Sequence, residues 1–140
     1  MRRFQDWPTR MDAWMRAHAQ DAHAYGSWDC ALMAASHIDN LTGSQLFAQH
    51  AYQYEHEAAA AHYLITLGAG GLEGLATMVL GQPLPSPKFA QRGDVVTFDT
   101  DIGTALGIVD LTGLRIAALN PSKTGFIRLP LALATAAWRV

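Results

Sequence analysis

The sequence has a single cysteine in 140 residues and no long uninterrupted apolar run. A lone cysteine excludes a framework of internal disulfides. The longest apolar segment, Ala58 to Leu67, contains His62 and stops at a glycine cluster, whereas a helix that crosses a bilayer needs about 18 consecutive apolar residues. We therefore expect a soluble protein without a membrane span.

Charged residues are also few, at 16% of the chain, and the formal net charge is only -2. The ten lysines and arginines are scattered, so the sequence lacks the basic stretch that is typical of nucleic-acid-binding proteins. The basic start is followed by Asp6, Pro8 and Arg10, where a signal peptide would carry its apolar stretch. We expect neither a nucleic-acid partner nor a secretion signal.

Apolar residues make up 50% of the chain, which is enough to bury a core without disulfide or metal support. In the first part of the chain they recur every three or four residues, which is the spacing of one helix face. This periodicity predicts helices over about 8–20, 28–41, 55–67 and 72–79. Ser27 or Asp29 is placed to cap the second helix, and Gly81 closes the fourth.

The pattern changes after three closely spaced prolines, Pro83, Pro85 and Pro87, which favour an extended connector. Beyond them, short runs of β-branched and apolar residues predict strands over about 94–99, 104–110, 114–119, 125–129 and 136–140. Neither part of the chain can cover its own apolar faces. We therefore predict one α+β domain over 1–140, with a helical half at about 1–82 packed on an antiparallel sheet of about four or five strands at about 93–140.

The only cysteine, Cys30, follows a glycine-containing turn and lies at the start of the second predicted helix. Free N–H groups and the positive end of the helix dipole stabilise a thiolate at such a position and lower the pKa of the thiol. Cys30 is therefore a candidate nucleophile, although a lone cysteine is more commonly a small buried apolar residue. The residues predicted to shape the turn around it are Tyr25, Gly26, Trp28 and Asp29.

A second turn, Gly93-Asp94, comes directly before the first predicted strand. Glycine permits the bend, and an aspartate at such a turn accepts hydrogen bonds from free backbone N–H groups. We predict that Gly93 and Asp94 start the strand in this way.

The sequence carries no metal or cofactor motif. His56 and His62 lie on different sides of a helix, because a zinc-binding pair is spaced four residues apart and these two are six apart. The glycine-rich segment 68–74 follows a helix instead of a strand, and it lacks the Lys-Ser/Thr pair of a phosphate-binding loop. We expect no metal and no cofactor.

The order of three features resembles NlpC-type cell-wall peptidases, which are papain-like enzymes. These features are the cysteine at a helix start, the segment Gly93 to Phe98, and the segment Leu106 to Val109. A wider set of motifs resembles a family of small proteins of unassigned function that are encoded in the tail modules of phages and prophages. That set comprises Tyr25-Gly26-Ser27-Trp28-Asp29-Cys30, Leu41-Thr42-Gly43, Gly70-Gly71-Leu72, Arg92-Gly93-Asp94-Val95-Val96, Leu106-Gly107-Ile108 and Ala137-Trp138-Arg139-Val140. The resemblance implies a papain-like α+β fold and a place in or near the tail tip or baseplate.

The resemblance also points to a missing base. In an NlpC-type enzyme a histidine precedes the hydrophobic-Gly-Ile step, and in this register that position is Ala105, while the orienting polar residue falls near Ala117. Alanine accepts no proton, and a cysteine peptidase needs a base beside its sulfur. All six histidines lie in the helical half. Of these, His37 is about 10 Å further along the cysteine helix, and His23 can fold back from the turn.

We therefore predict a phage tail-associated structural or assembly protein on a degenerate NlpC-type scaffold, whose partners are other tail or tail-assembly proteins. It would reside in the virion tail or, during assembly, in the host cytoplasm. Two alternatives stay open. Cys30 can act with an unrecognised base in an active peptidoglycan hydrolase or amidase, or the chain can be a host-side regulator or chaperone of tail assembly that is absent from the particle.

Overall fold

A computed structural model describes residues 1–140. Its helices come first and its strands last, which confirms the predicted α+β class. The helices are α1 (Trp7–Ala17), α2 (Cys30–Thr42), α3 (Leu46–His50), α4 (Glu57–Thr66) and α5 (Leu72–Leu80). The strands are β1 (Val95–Thr100), β2 (Gly103–Val109), β3 (Arg115–Leu119), β4 (Phe126–Pro130) and β5 (Ala134–Trp138). None of the helices has the length and apolar character that a membrane crossing requires.

The strands form one antiparallel sheet in the order β4-β3-β2-β1-β5. β1 and β2 pair along their whole length, from Val95↔Ile108 to Thr100↔Gly103. In contrast, β2 and β3 pair only at Ile108↔Ala117 and Val109↔Ile116. The first part of β2, residues 103–107, therefore has no partner on the β3 side, and a gap opens between the two strands.

Side chains alternate between the two faces of the sheet. One face, which carries Val95 and Ile108, packs in the main core together with residues of α1 and α2. The opposite face carries a second cluster that includes Phe98, and the connector before β1 covers it through Leu84 and Ala90. The main core thus holds α2 against β2, and the first turn of α2 lies beside the gap in the sheet.

Every helix and strand predicted from periodicity is present, with boundaries that differ by a few residues. α1 ends before residue 20 because His18 leaves the helix and its Nδ1 pairs with Asp21 Oδ2 at 2.6 Å. β5 ends before residue 140 because Arg139 and Val140 bond to Asp94 instead of to a neighbouring strand. The periodicity misses α3, since a helix of 5 residues is too short to show a repeat.

The outer helices are only lightly packed. Neither α3 nor α4 contains a buried residue, and α5 contains one, Ala76. Yet α4 is rich in apolar residues, and its Ile65 is 65% exposed. These helices consequently stand over an open groove instead of closing onto the sheet.

Candidate functional site

The chain enters α2 through a tight turn that is built around the Asp29 carboxylate. Asp29 caps α2 by accepting a hydrogen bond from the Leu32 backbone N–H at 3.0 Å. Its other oxygen accepts hydrogen bonds from the Gly26 N–H at 3.0 Å and from the Tyr54 hydroxyl at 2.6 Å. Asp29 is therefore the cap, and Ser27 is not. Burial, together with this carboxylate, raises the pKa of the Tyr54 hydroxyl above its ordinary value.

The other residues predicted around the cysteine shape the turn by packing and by backbone conformation. Gly26 has a φ of +85°, and a Cβ there would lie 1.8 Å from the Tyr54 carbonyl oxygen, so no other residue fits. Trp28 is buried in the main core. Tyr25 is half-buried and meets His23 edge-on, with ring centroids 4.8 Å apart. None of these side chains forms a hydrogen bond to the cysteine.

Cys30 is half-buried and lies at the gap beside β2. The Leu106 backbone N–H, which has no β3 partner, lies near the Cys30 sulfur and acts to lower the pKa of the thiol. Burial, together with the neighbouring Asp29 carboxylate, raises the pKa of the Cys30 thiol to about 11, against the lowering effect of backbone N–H groups. The expectation that the helix start lowers this pKa is wrong, because loss of hydration outweighs the helix end. The thiol is therefore protonated at neutral pH.

The position predicted to hold a missing histidine lies next to the cysteine contact. Ala105 lines the same groove as Cys30, and its methyl group packs against the second cluster, on the face of the sheet that carries Phe98. The contact to the sulfur comes from the backbone of the next residue, Leu106. Ala117 is fully buried and apolar. Neither alanine can accept a proton from the thiol.

No histidine forms a hydrogen bond to the Cys30 sulfur. His37 is fully buried, and its Nε2–H donates to the Gly93 carbonyl oxygen at 2.8 Å. His23 and His50 line the groove, but His50 Nδ1 pairs with the Tyr63 hydroxyl at 2.7 Å. The others pair with Asp21, cap α4 or stay exposed: His18, His56 and His62. The geometry therefore offers the thiol no imidazole partner.

The second predicted turn is the centre of a buried ion-pair network. Asp94 has no exposed surface, and it accepts hydrogen bonds from the backbone N–H groups of Gln91 at 2.8 Å and Val140 at 3.2 Å. It also pairs with Arg3 Nη2 at 2.9 Å and with Arg139 Nε at 3.0 Å. The prediction that Asp94 accepts bonds from free N–H groups is confirmed. The two arginines lie 91 and 45 residues away in sequence, so no local pattern indicates them.

The groove beside Cys30 has a volume of about 1200 Å³ and is lined mostly by apolar side chains. It runs between α2, the outer helices α4 and α5, and the β1–β2 hairpin, and it reaches the gap between β2 and the turn that follows β3. No cluster of His, Cys, Asp and Glu side chains in the chain could hold a metal ion. The arrangement can bind an apolar ligand or segment, but it presents no activated nucleophile.

The chain belongs to the family described as Domain of unknown function (DUF6950), which matches residues 2–140. A comparison with curated proteins found no match.

Proposed function

We propose that this protein is a phage or prophage tail-associated structural or assembly component, built on an NlpC-like scaffold that has lost peptidase competence. The environment of the only thiol is the observation that supports the proposed loss of peptidase activity. The sulfur of Cys30 faces the Leu106 backbone N–H, its pKa is raised to about 11, and no histidine bonds to it. The tail location rests on the sequence motifs that resemble tail-module proteins.

A peptidase needs two proton transfers at this point of the structure. A base must take the thiol proton, and the resulting acid must protonate the leaving amine. His37 is two turns further along α2, and its Nε2–H is bound to the Gly93 carbonyl oxygen. No hydrogen bond joins the Cys30 sulfur to an imidazole or a carboxylate, and a thiol whose pKa is about 11 stays protonated at neutral pH.

Two features of the fold support the NlpC-like part of the proposal. The cysteine begins a helix that packs in one core with β2 of an antiparallel sheet, and the Gly93-Asp94 turn leads into β1. These are the elements, in the same order, that the sequence resemblance implies for a papain-like domain.

The test measures hydrolysis and assembly separately, with Cys30→Ala as the variant. We expect purified wild-type protein to leave peptidoglycan intact, and we expect phage carrying Cys30→Ala to form infectious particles in normal yield. Digestion of peptidoglycan by wild-type protein, abolished in Cys30→Ala, would instead establish the alternative function, a cysteine hydrolase or amidase. The position of the thiol at a helix start in an open groove is what favours that alternative.

Mass spectrometry of purified particles tests the location. The protein is expected among the virion proteins at a fixed ratio to known tail subunits. If the finished particles lack the protein, and particles do not assemble in its absence, the protein would instead be a host-side assembly chaperone.

We expect the Cys30 thiol to react slowly with iodoacetamide at pH 8, because burial raises its pKa from 9.0 to about 11 and only the thiolate attacks. The rate in the folded protein should be at least about tenfold below the rate in urea, where the thiol regains its ordinary pKa. Mass spectrometry of the alkylated chain measures both rates. Equal rates would mean that folding does not raise the pKa of the thiol, and they would contradict the main argument for the loss of activity.

A further inference from the structure

The groove beside Cys30 combines an apolar floor with charge of one sign. Its acidic lining residues include Asp29, Glu57, Glu73, Asp99 and Asp101. None of the chain's ten lysines and arginines lines it. Because Asp29 is buried in the helix-capping turn, the other four carboxylates are the ones that a ligand can meet.

The apolar part of the groove is left largely uncovered. α4 contributes Leu64 and Ile65 to the lining and buries no residue of its own. α5 contributes Leu72 and Leu75, which are half-buried. A contiguous apolar surface that a protein leaves open in this way commonly marks a site of interaction.

We propose that this groove binds an apolar segment of a partner protein that carries lysine or arginine beside its apolar residues. The apolar side chains lie on the floor between α2, α4 and α5, and the cations meet Glu57, Glu73 and the β1–β2 hairpin carboxylates. The inference rests on the proposed function in one respect, which is that the groove is a docking site and not a catalytic cleft.

A second copy of this chain fits the groove less well, because most of its cations are already engaged. Arg3 and Arg139 are held by Asp94. The other paired cations are Arg10 with Asp6, Arg16 with Asp12 and Arg128 with Asp110. Arg92 packs over the ring of Trp7 at 5.3 Å. The remaining lysines and arginines are dispersed along the sequence, so the chain offers no apolar segment with clustered cations.

The experiment uses two fluorescently labelled peptides of equal length and identical leucine and alanine positions. One carries lysine at the remaining positions and the other carries glutamate. Fluorescence anisotropy with the full-length protein should show binding of the lysine peptide and none of the glutamate peptide, and the affinity should fall as salt is added.

Matched variants locate the binding site. Glu57→Lys should weaken binding of the lysine peptide by about fivefold, whereas Glu55→Lys, an identical change outside the groove, should not. Ile65→Ser should weaken binding as well, whereas Met78→Ser, at a similarly exposed residue outside the groove, should leave it unchanged. All four positions are exposed, so folding is little affected.

Several outcomes would overturn the inference. Equal binding of both peptides, or equal effects of Glu57→Lys and Glu55→Lys, would do so. A concentration-dependent dimer in sedimentation that Ile65→Ser disrupts would assign the groove to a second copy. Loss of peptide binding alone leaves the proposed function standing, since Cys30→Ala particles and peptidoglycan test it independently. Digestion of peptidoglycan, with peptide binding intact, would overturn the proposed function and leave the docking site.

Discussion

Asp94→Ala is expected to lower the free energy of unfolding by about 3–5 kcal/mol, the usual cost of removing one partner from a buried ion pair. The carboxylate is fully buried and accepts from two backbone N–H groups and two guanidinium groups. Without it, Arg3 keeps a mostly buried positive charge with no carboxylate beside it. Burial already lowers the pKa of Arg3, and Asp94 is the largest influence that opposes this shift.

Urea unfolding followed by circular dichroism measures this loss, and Asp6→Ala is the matched control. Asp6 also pairs with an arginine, Arg10, at 2.8 Å, but both side chains are exposed, so only a small change is expected. If Asp94→Ala does not fold at all, Arg139→Ala should show a smaller, measurable loss, because Arg139 is about half exposed. Similar stabilities for Asp94→Ala and Asp6→Ala would contradict the role given to the network.

The protein is also expected to lose stability as the pH falls from about 6.5 to about 4. Burial lowers the pKa of His37 from 6.5 to about 4, with a further lowering by the Arg3 charge, while the hydrogen bond to the Gly93 carbonyl opposes the shift. In this window the unfolded chain binds a proton at His37 and the folded protein does not, so acid favours unfolding. The shift from 6.5 to about 4 corresponds to about 3 kcal/mol, lost in full below pH 4.

The measurement is the free energy of unfolding at several pH values for the wild type and His37→Gln. The variant removes the titration, so its stability should change less with pH between 4 and 6.5, even though it is less stable at pH 7. His62→Gln, at an exposed histidine without a hydrogen bond, should keep the wild-type pH dependence. Parallel pH profiles for the wild type and His37→Gln would show that His37 does not titrate in this way.

Features that depend on local sequence could be predicted well. The helices that pack on the core follow from apolar residues at helical spacing, and Asp29 as a cap follows from its place before an apolar run. The role of Asp94 in its turn follows from the chemistry of a Gly-Asp pair before a strand.

Features that depend on contacts between distant segments could not be predicted from the sequence. The pKa of Cys30 is governed by burial against β2, more than 70 residues later, so the helix start alone predicts the wrong direction. The partners of Asp94 come from both ends of the chain, and their pairing leaves no periodic signal. The groove reaches the gap where β2 and β3 separate after two residue pairs, and alternating hydrophobicity does not encode that separation.

The Asp94 network brings together the segments around residues 3 and 140, which allows the order of the chain's segments to be changed. Arg3 Nε donates to the Val140 carbonyl oxygen at 2.8 Å, so residues 3 and 140 are immediate neighbours in space. A short peptide linker from residue 140 to residue 3 would have to span little more than the length of the Arg3 side chain, and it would close the backbone into a ring. The turn at Gly68, Gly70 and Gly71, where an added Cβ would meet nothing within 4 Å, is the natural place to cut that ring. Such a circular permutant would carry its new termini beside α4 and α5 and leave the Asp94 network continuous within the chain.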